Sequence, residues 1–418
     1  MIEKVREKNR QLDSFFTAKR CTFTVVNEAT KLKDNFQQHI IVCSDINGLL
    51  NKIIDERQID EANMLVRTGM DGGGGFLKVC LSVFEFEREK DNEERRIIKR
   101  FKNSGVKKAF VIAIVPGVQE NFYNIKRIWH EAGMNSLNRP FTIATDLKLC
   151  NILLGLMSNS SSHPCCWCDV RKAALRNKGV SRTIQSLMDQ FWSYFEAKAT
   201  KKNAKEFGNV IHTNVFSSGN VDPSTLIILL VPPPELHLMM GPVNKMFDAL
   251  SNLSEEVSEE WIKRLNIKRE EYHGGSFCGN DSRRLLKNVS ILEDITANSN
   301  NPEMKYFIDA FKSFDQVVAS CFGKKLFPDY MEKIDDFKVK YNKLKISVTP
   351  KIHAVFHHVS EFCQITGKGL SPWSEQTAES IHFDFNQIWQ GFKVRDTDHK
   401  EYGTHLRDAI VMYNSQHL

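Results

Sequence analysis

Two half-sites for a soft metal lie far apart in this chain. Cys165-Cys166-Trp167-Cys168 contains a C-x-x-C pair, and Lys351-Ile352-His353-Ala354-Val355-Phe356-His357-His358 offers imidazoles. Two thiolates and two imidazoles complete a closed tetrahedral zinc set if the fold brings the halves together. The residues between them then form an insertion with its two ends held side by side. A C-x-x-C pair by itself also suits redox chemistry, and Cys166 reads as an inert buried thiol. In the downstream half, α-helical geometry pairs His353 with His357, at i and i+4 on one face. Pairing His353 with His358 requires the helix to distort or end.

Isolated acids form a second pattern. Asp71 ends the apolar segment 65–71, just before Gly72-Gly73-Gly74-Gly75, and Asp146 ends Phe141-Thr142-Ile143-Ala144-Thr145. A carboxylate at the end of an apolar strand is costly unless something uses it. Glu375 and Glu379 share a helix face, which reads equally as a solvated acidic surface. Three convergent carboxylates suit two Mg2+ or Mn2+ ions, which do phosphoryl chemistry.

The periodicity predicts how these residues are carried. Residues 1–60 read as a helical, polar segment. A strand at 65–71, a glycine turn at 72–75 and a strand at 76–86 form a hairpin. The nearly continuous β-branched run through Val111-Ile112-Ala113-Ile114-Val115 predicts a central strand covered on both faces. A helix over 121–132, a strand over 141–146 and a helix over 147–157 follow. Hairpin, strand, helix, strand, helix is the order of a ribonuclease-H-like α/β core, in which acids at neighbouring strand ends meet near the rim of the sheet. Beyond Cys168 the spacing turns helical, with helices expected at 235–253, 254–265, 281–296, 303–322, 329–344, 350–363, 374–392 and 402–414. The expected organisation is a helical segment 1–60, the first part of the core 61–170, a mostly helical insertion 171–348 braced by zinc, and C-terminal helices 349–418.

Composition narrows the setting. The 418 residues carry a net charge of +6, which permits a polyanionic partner without demonstrating one. Ten cysteines, clustered only at 165, 166 and 168, point to a reducing compartment rather than a disulfide framework. The N-terminal residues lack the apolar core of a signal peptide, and no run is long enough to span a bilayer, so a nuclear or cytosolic protein is expected. Arg95, Arg96, Lys99 and Arg100 read as a solvated connection or, more sharply, as a phosphate track. Trp373 reads first as core, and alternatively as a stacking platform for an unpaired base.

Taken together, these motifs resemble the catalytic core of Transib transposases and of the large subunit of the V(D)J recombinase, from Asp71 to the C-terminus. In that family the second catalytic aspartate precedes a C-x-x-C-D, here Cys165-Cys166-Trp167-Cys168-Asp169. Further likenesses are Val231-Pro232-Pro233-Pro234-Glu235-Leu236-His237, Gly241-Pro242-Val243-Asn244 and His273-Gly274-Gly275-Ser276. The family's zinc histidines have four residues between them and the second precedes valine, which selects His353 and His358, with His357 as the alternative. Its glutamate lies in Trp-x-Ser-Glu-x-x-Glu-Ser. Trp373-Ser374-Glu375-Gln376-Thr377-Ala378-Glu379-Ser380 is one residue shorter and selects Glu379.

The resemblance implies a catalytic triad of Asp71, Asp146 and Glu379 holding two Mg2+ or Mn2+ ions, and a structural Zn2+ on Cys165, Cys168, His353 and His358. It further implies double-stranded DNA as substrate, a homodimer and a nuclear location. The reaction would be a nick, hairpin formation and strand transfer. No segment upstream of Asp71 resembles the modules such proteins use to read element ends. A catalytically inactive derivative that binds DNA or protein, and a stand-alone nuclease, are the rival expectations.

Overall fold

The computed structural model describes residues 2–27, 30, 32–87, 100–105, 108–217, 219, 221–270, 275–298, 301–392, 394 and 396–418. They form two compact units, one of residues 1–169, 180–232 and 375–418, the other of residues 170–179 and 233–374. Among the described residues, no helix is long and apolar enough to cross a membrane.

The first unit is built on a mixed sheet. Its strands are β1 (Phe16–Val26), β2 (Lys33–Cys43), β3 (Met64–Gly73), β4 (Phe76–Glu87), β5 (Arg100–Lys102), β6 (Phe110–Pro116) and β7 (Phe141–Ala144). They are ordered β1-β2-β6-β4-β3-β7, with β5 on β4. Every residue of β6 is buried, as its β-branched run predicts for a strand covered on both faces. β3 and β4 form the expected hairpin, turning at Gly74 and Gly75, whose φ angles of 60° and 82° disfavour any side chain. β7 alone runs parallel to its neighbour, pairing with β3 from Val66↔Phe141 to Gly69↔Ala144.

The N-terminal residues correct the helical expectation for 1–60. Among the described residues there, α1 (Ile2–Asp13) and α2 (Ile46–Arg57) are helical, and between them β1 and β2 pair over their whole length. Cys21 and Phe23 alternate inward on β1, and Ile41 and Val42 join β2 to Ile114 and Ala113 of β6. That strand pairing bridges distant sequence, so a local reading of polar residues misses it. The exposed edge of β1 is clasped by side chains. Asn124 accepts from the Thr24 amide at 2.7 Å and donates to its carbonyl at 2.8 Å, which occupies groups that would otherwise recruit another strand.

The remaining helices of this unit are α3 (Phe122–Glu131), α4 (Leu147–Leu153), α5 (Ile184–Glu196), α6 (Ile227–Leu230), α15 (Gln376–Gln390) and α16 (Tyr402–Ser415). On β6 the register slips so that Val79 faces Ala113 while Cys80 faces Val111, leaving Ile112 as an extra residue. The buried Asn414 of α16 repairs the gap. It accepts from the Val111 amide at 2.8 Å and donates to the Val111 carbonyl at 2.9 Å.

The second unit is helical: α7 (Glu235–Leu253), α8 (Glu255–Arg264), α9 (Gly279–Lys287), α10 (Val289–Thr296), α11 (Pro302–Val317), α12 (Tyr330–Lys343), α13 (Pro350–His353) and α14 (Val359–Thr366). Aromatic residues dominate its core, with Trp261 edge-on to Phe311 at 5.1 Å and Phe314 near Phe337 at 4.7 Å. The single helix expected over 281–296 is broken at Asn288. Two π-helical turns interrupt regular helix, at Val318–Phe322 and Ala354–His358.

Candidate metal centre and acidic site

Cys165, Cys168, His353 and His358 come together, all buried, with one ligand atom of each within 4.8 Å of the others. The donor set fits a zinc ion: two soft sulfurs and two imidazoles, all on buried residues. The cluster is therefore able to hold a structural zinc.

The π turn explains why His358, and not His357, belongs to it. An α-helix puts residues i and i+4 on one face, but the wider turn at Ala354–His358 rotates the chain so that i and i+5 align. His357 is turned aside, where its Nε2 lies 3.1 Å from the Arg176 carbonyl. The helix distorts as pairing His353 with His358 requires.

Groups around the ligands fix their orientation. His353 Nδ1 lies 2.9 Å from the Leu175 carbonyl, and His358 Nδ1 lies 2.9 Å from Glu361 Oε2. Glu361 is in turn paired with Lys178 at 2.8 Å. Imidazoles held through Nδ1 present Nε2 as the ligand atom, the usual second-shell arrangement of zinc histidines. On the cysteine side, the buried Arg182 donates to the Cys168 carbonyl at 3.0 Å, and Trp167 Nε1 donates to the Val231 carbonyl at 2.7 Å. Burial pushes the Cys165 thiol well above its ordinary pKa, with the neighbouring Cys168 adding to the rise. A cation would reverse that cost by stabilising the thiolates.

Asp71 lies near the end of β3, and Asp146 lies just past the neighbouring β7, at the start of α4. Asp71 and Asp146 each follow the last β3–β7 pair, Gly69↔Ala144, by two residues, and Thr145 Oγ1 ties the two segments together by donating to the Met70 carbonyl at 3.1 Å. Asp146 also caps α4, accepting from the Leu149 amide through Oδ1 at 2.7 Å. Asp71 accepts through Oδ2 at 2.8 Å from His382 Nε2. Each aspartate thus commits one oxygen to the protein.

Helix α15 brings the third position alongside. A Cβ on Gly69 would lie 3.5 Å from Ala378 Cβ, and one on Gly73 would fall 2.6 Å from His382 Nε2. Farther along, Phe385 and Trp389 pack edge-on against Phe76 at 5.5 Å and 6.0 Å. Glu379 follows Ala378 directly and precedes His382 by three residues, so its backbone lies on the stretch of α15 that runs beside the end of β3. Its side chain falls outside what the structure describes.

The other acid of that motif has a different job. Glu375 is buried at 3 % exposure where α15 begins, and its charge acts on the fully buried Arg67. Desolvation lowers Arg67 to about 10, opposed by the charges of Cys80 and Glu375. Arg67 also donates to Thr377 Oγ1 at 2.7 Å. Glu375 is thus a buried carboxylate near the start of α15 that favours the charge of Arg67.

Two neighbours of Asp71, Lys78 and His382, escaped the sequence reading. Lys78 faces Asp71 across the hairpin, and its Nζ lies 2.6 Å from His382 Nδ1. It is a lysine on an otherwise apolar stretch of strand, 1 % exposed, and that interruption was the available signal. Desolvation lowers its pKa to about 8, against the favourable charges of Cys80 and Asp71.

The expected DNA contacts fare unevenly. Trp373 belongs to the core, at 4 % exposure and edge-on to Phe362 at 5.1 Å. With its ring engaged in packing it has no open face for a base, which corrects the stacking alternative. Arg95, Arg96 and Lys99 lie outside the described residues, and Arg100 is placed only as a β5 backbone position opposite Glu87.

Comparison with known proteins adds no assignment: no protein-family model matches the chain, and no curated protein matches it.

Proposed function

We propose that the chain is the catalytic core of a DDE-type transposase or recombinase, cutting and joining DNA with divalent metal ions. The reading is carried by one observation: Asp71 and Asp146 each lie two residues beyond the last pair, Gly69↔Ala144, of the adjacent strands β3 and β7, and the helix bearing Glu379 runs beside the end of β3, with its His382 bound to Asp71. The order of hairpin, antiparallel strand, helix and parallel strand around these acids supports a ribonuclease-H-like core.

Mg2+ or Mn2+ bound there would activate a water or a DNA 3′-hydroxyl and stabilise the leaving oxygen of an in-line displacement at phosphorus. The chain's own part is to hold the carboxylates. The Leu149 amide fixes one oxygen of Asp146, and His382 fixes one oxygen of Asp71, so the remaining oxygens are presented in set directions. Zinc in the Cys165, Cys168, His353 and His358 cluster would be structural, because four protein ligands leave no open position. Double-stranded DNA is the proposed substrate, a homodimer the proposed assembly and the nucleus the proposed location.

The test is strand cleavage of supercoiled and linear DNA in Mg2+ or Mn2+, with the DNA flanking the reading frame as the candidate end. The reading expects nicks and hairpin ends that vanish in Asp146→Asn while DNA binding persists. Binding without cleavage in the wild type would favour an inactive derivative. Cleavage without joined products would favour a nuclease.

A further inference from the structure

Building on the acidic-site reading, we propose that Lys78 and His382 act as a positioning relay that turns one oxygen of Asp71 toward a divalent cation. The argument begins with donor chemistry. A lysine ammonium carries three donors and no acceptor. With Nζ 2.6 Å from His382 Nδ1, that ring nitrogen must accept. The imidazole proton then resides on Nε2, which donates to Asp71 Oδ2 at 2.8 Å. Lys78 thereby selects the tautomer, and the tautomer selects which oxygen of Asp71 is occupied.

The relay is fixed from all sides. Lys78 Nζ donates to the Gly73 carbonyl at 3.2 Å and stands over the rings of Phe76 and Phe385 at 5.4 Å and 5.6 Å. His382 passes so close to Gly73 that any Cβ there would collide with it. A lysine buried on a strand, used only to pack, has no reason to meet an imidazole already spent on a carboxylate. An outer-shell partner that orients a metal-binding carboxylate explains both contacts.

The test reads Mn2+ binding to the zinc-loaded, full-length protein by electron paramagnetic resonance, beside a thermal melt of each variant. Asp71→Asn should abolish the bound signal. His382→Ala should weaken binding by about tenfold to a hundredfold, the usual effect of losing an outer-shell partner. His382→Gln, which keeps an N–H donor at similar reach, should restore most of it, and Lys78→Met should weaken binding less than His382→Ala. Wild-type affinity in His382→Ala, with Asp71→Asn silent, overturns the relay and leaves the acidic site standing. A loss in His382→Ala that His382→Gln does not restore, with melting unchanged, also overturns it. Equal Mn2+ binding by wild type and Asp71→Asn overturns the acidic-site reading itself, and the relay with it. Nitrogen-15 resonances of His382 in the native protein give an answer independent of any variant: the Nε2–H tautomer supports the relay, and the Nδ1–H tautomer refutes it.

Discussion

The Cys/His cluster and the acidic strand ends are opposites. The first is sealed, with four buried soft donors and each imidazole locked by a second partner. The second is half open: Asp71 keeps 26 % side-chain exposure and spends one oxygen on His382. A sealed site has no place for a reactant and can only hold the chain together. A half-open one leaves ligand positions for a substrate. On the proposed reading, burial and donor hardness would separate a structural ion from a working one.

That contrast is breakable by experiment. The largest effect belongs to the sealed site. Chelating zinc, or changing Cys168→Ser or His358→Ala, should remove one zinc per chain and cost on the order of 5 kcal/mol or more of folding stability, read by metal analysis and denaturant melts. If stability survived complete zinc loss, the sealed site would not be structural. Next comes the open site. Asp71→Asn or Asp146→Asn should reduce DNA cleavage by roughly a thousandfold, about 4 kcal/mol in the barrier, with zinc content and melting unchanged. A stability loss in place of an activity loss would erase the distinction.

Third, Trp373→Ala should destabilise by about 3 kcal/mol while DNA binding per folded molecule stays constant, as expected of an aromatic used in packing. Reduced DNA affinity at unchanged stability would return this ring to the DNA. The smallest effect is expected at His357→Ala. The loss should be about 1 kcal/mol, from its contact with the Arg176 carbonyl, and zinc should stay fully bound. Zinc loss in that variant would show that the π turn does not select the ligand.

Much of this was readable beforehand because it rests on local pattern. Asp71 and Asp146 stood out as charges ending apolar strands, and the doubly buried β6 was written in its β-branched run. The zinc ligands were legible as residue types, but the choice of His358 was not a matter of helical spacing. A π turn carries no local signature in Ala354–His357, so only the resemblance pointed to His358. β1 and β2 pair with each other as sequence neighbours, but they were misread because hydrophobic alternation on β1 is diluted by Thr and Lys, and β2's other partner, β6, comes about seventy residues later. His382 was invisible for a related reason: it is an ordinary helix residue until tertiary packing sets it against Asp71 and Lys78, whose interruption of an apolar strand was the one local signal.

The clasp of Asn414 on Val111 carries a consequence for how the chain is made. Ribosomal synthesis is vectorial, so β6 emerges roughly three hundred residues before the side chain that completes its hydrogen bonding. The helix with Glu379 is likewise a late arrival. Nascent chains would therefore carry an unfinished sheet until α16 emerges, with Glu379 brought beside β3 only after α15 has been made.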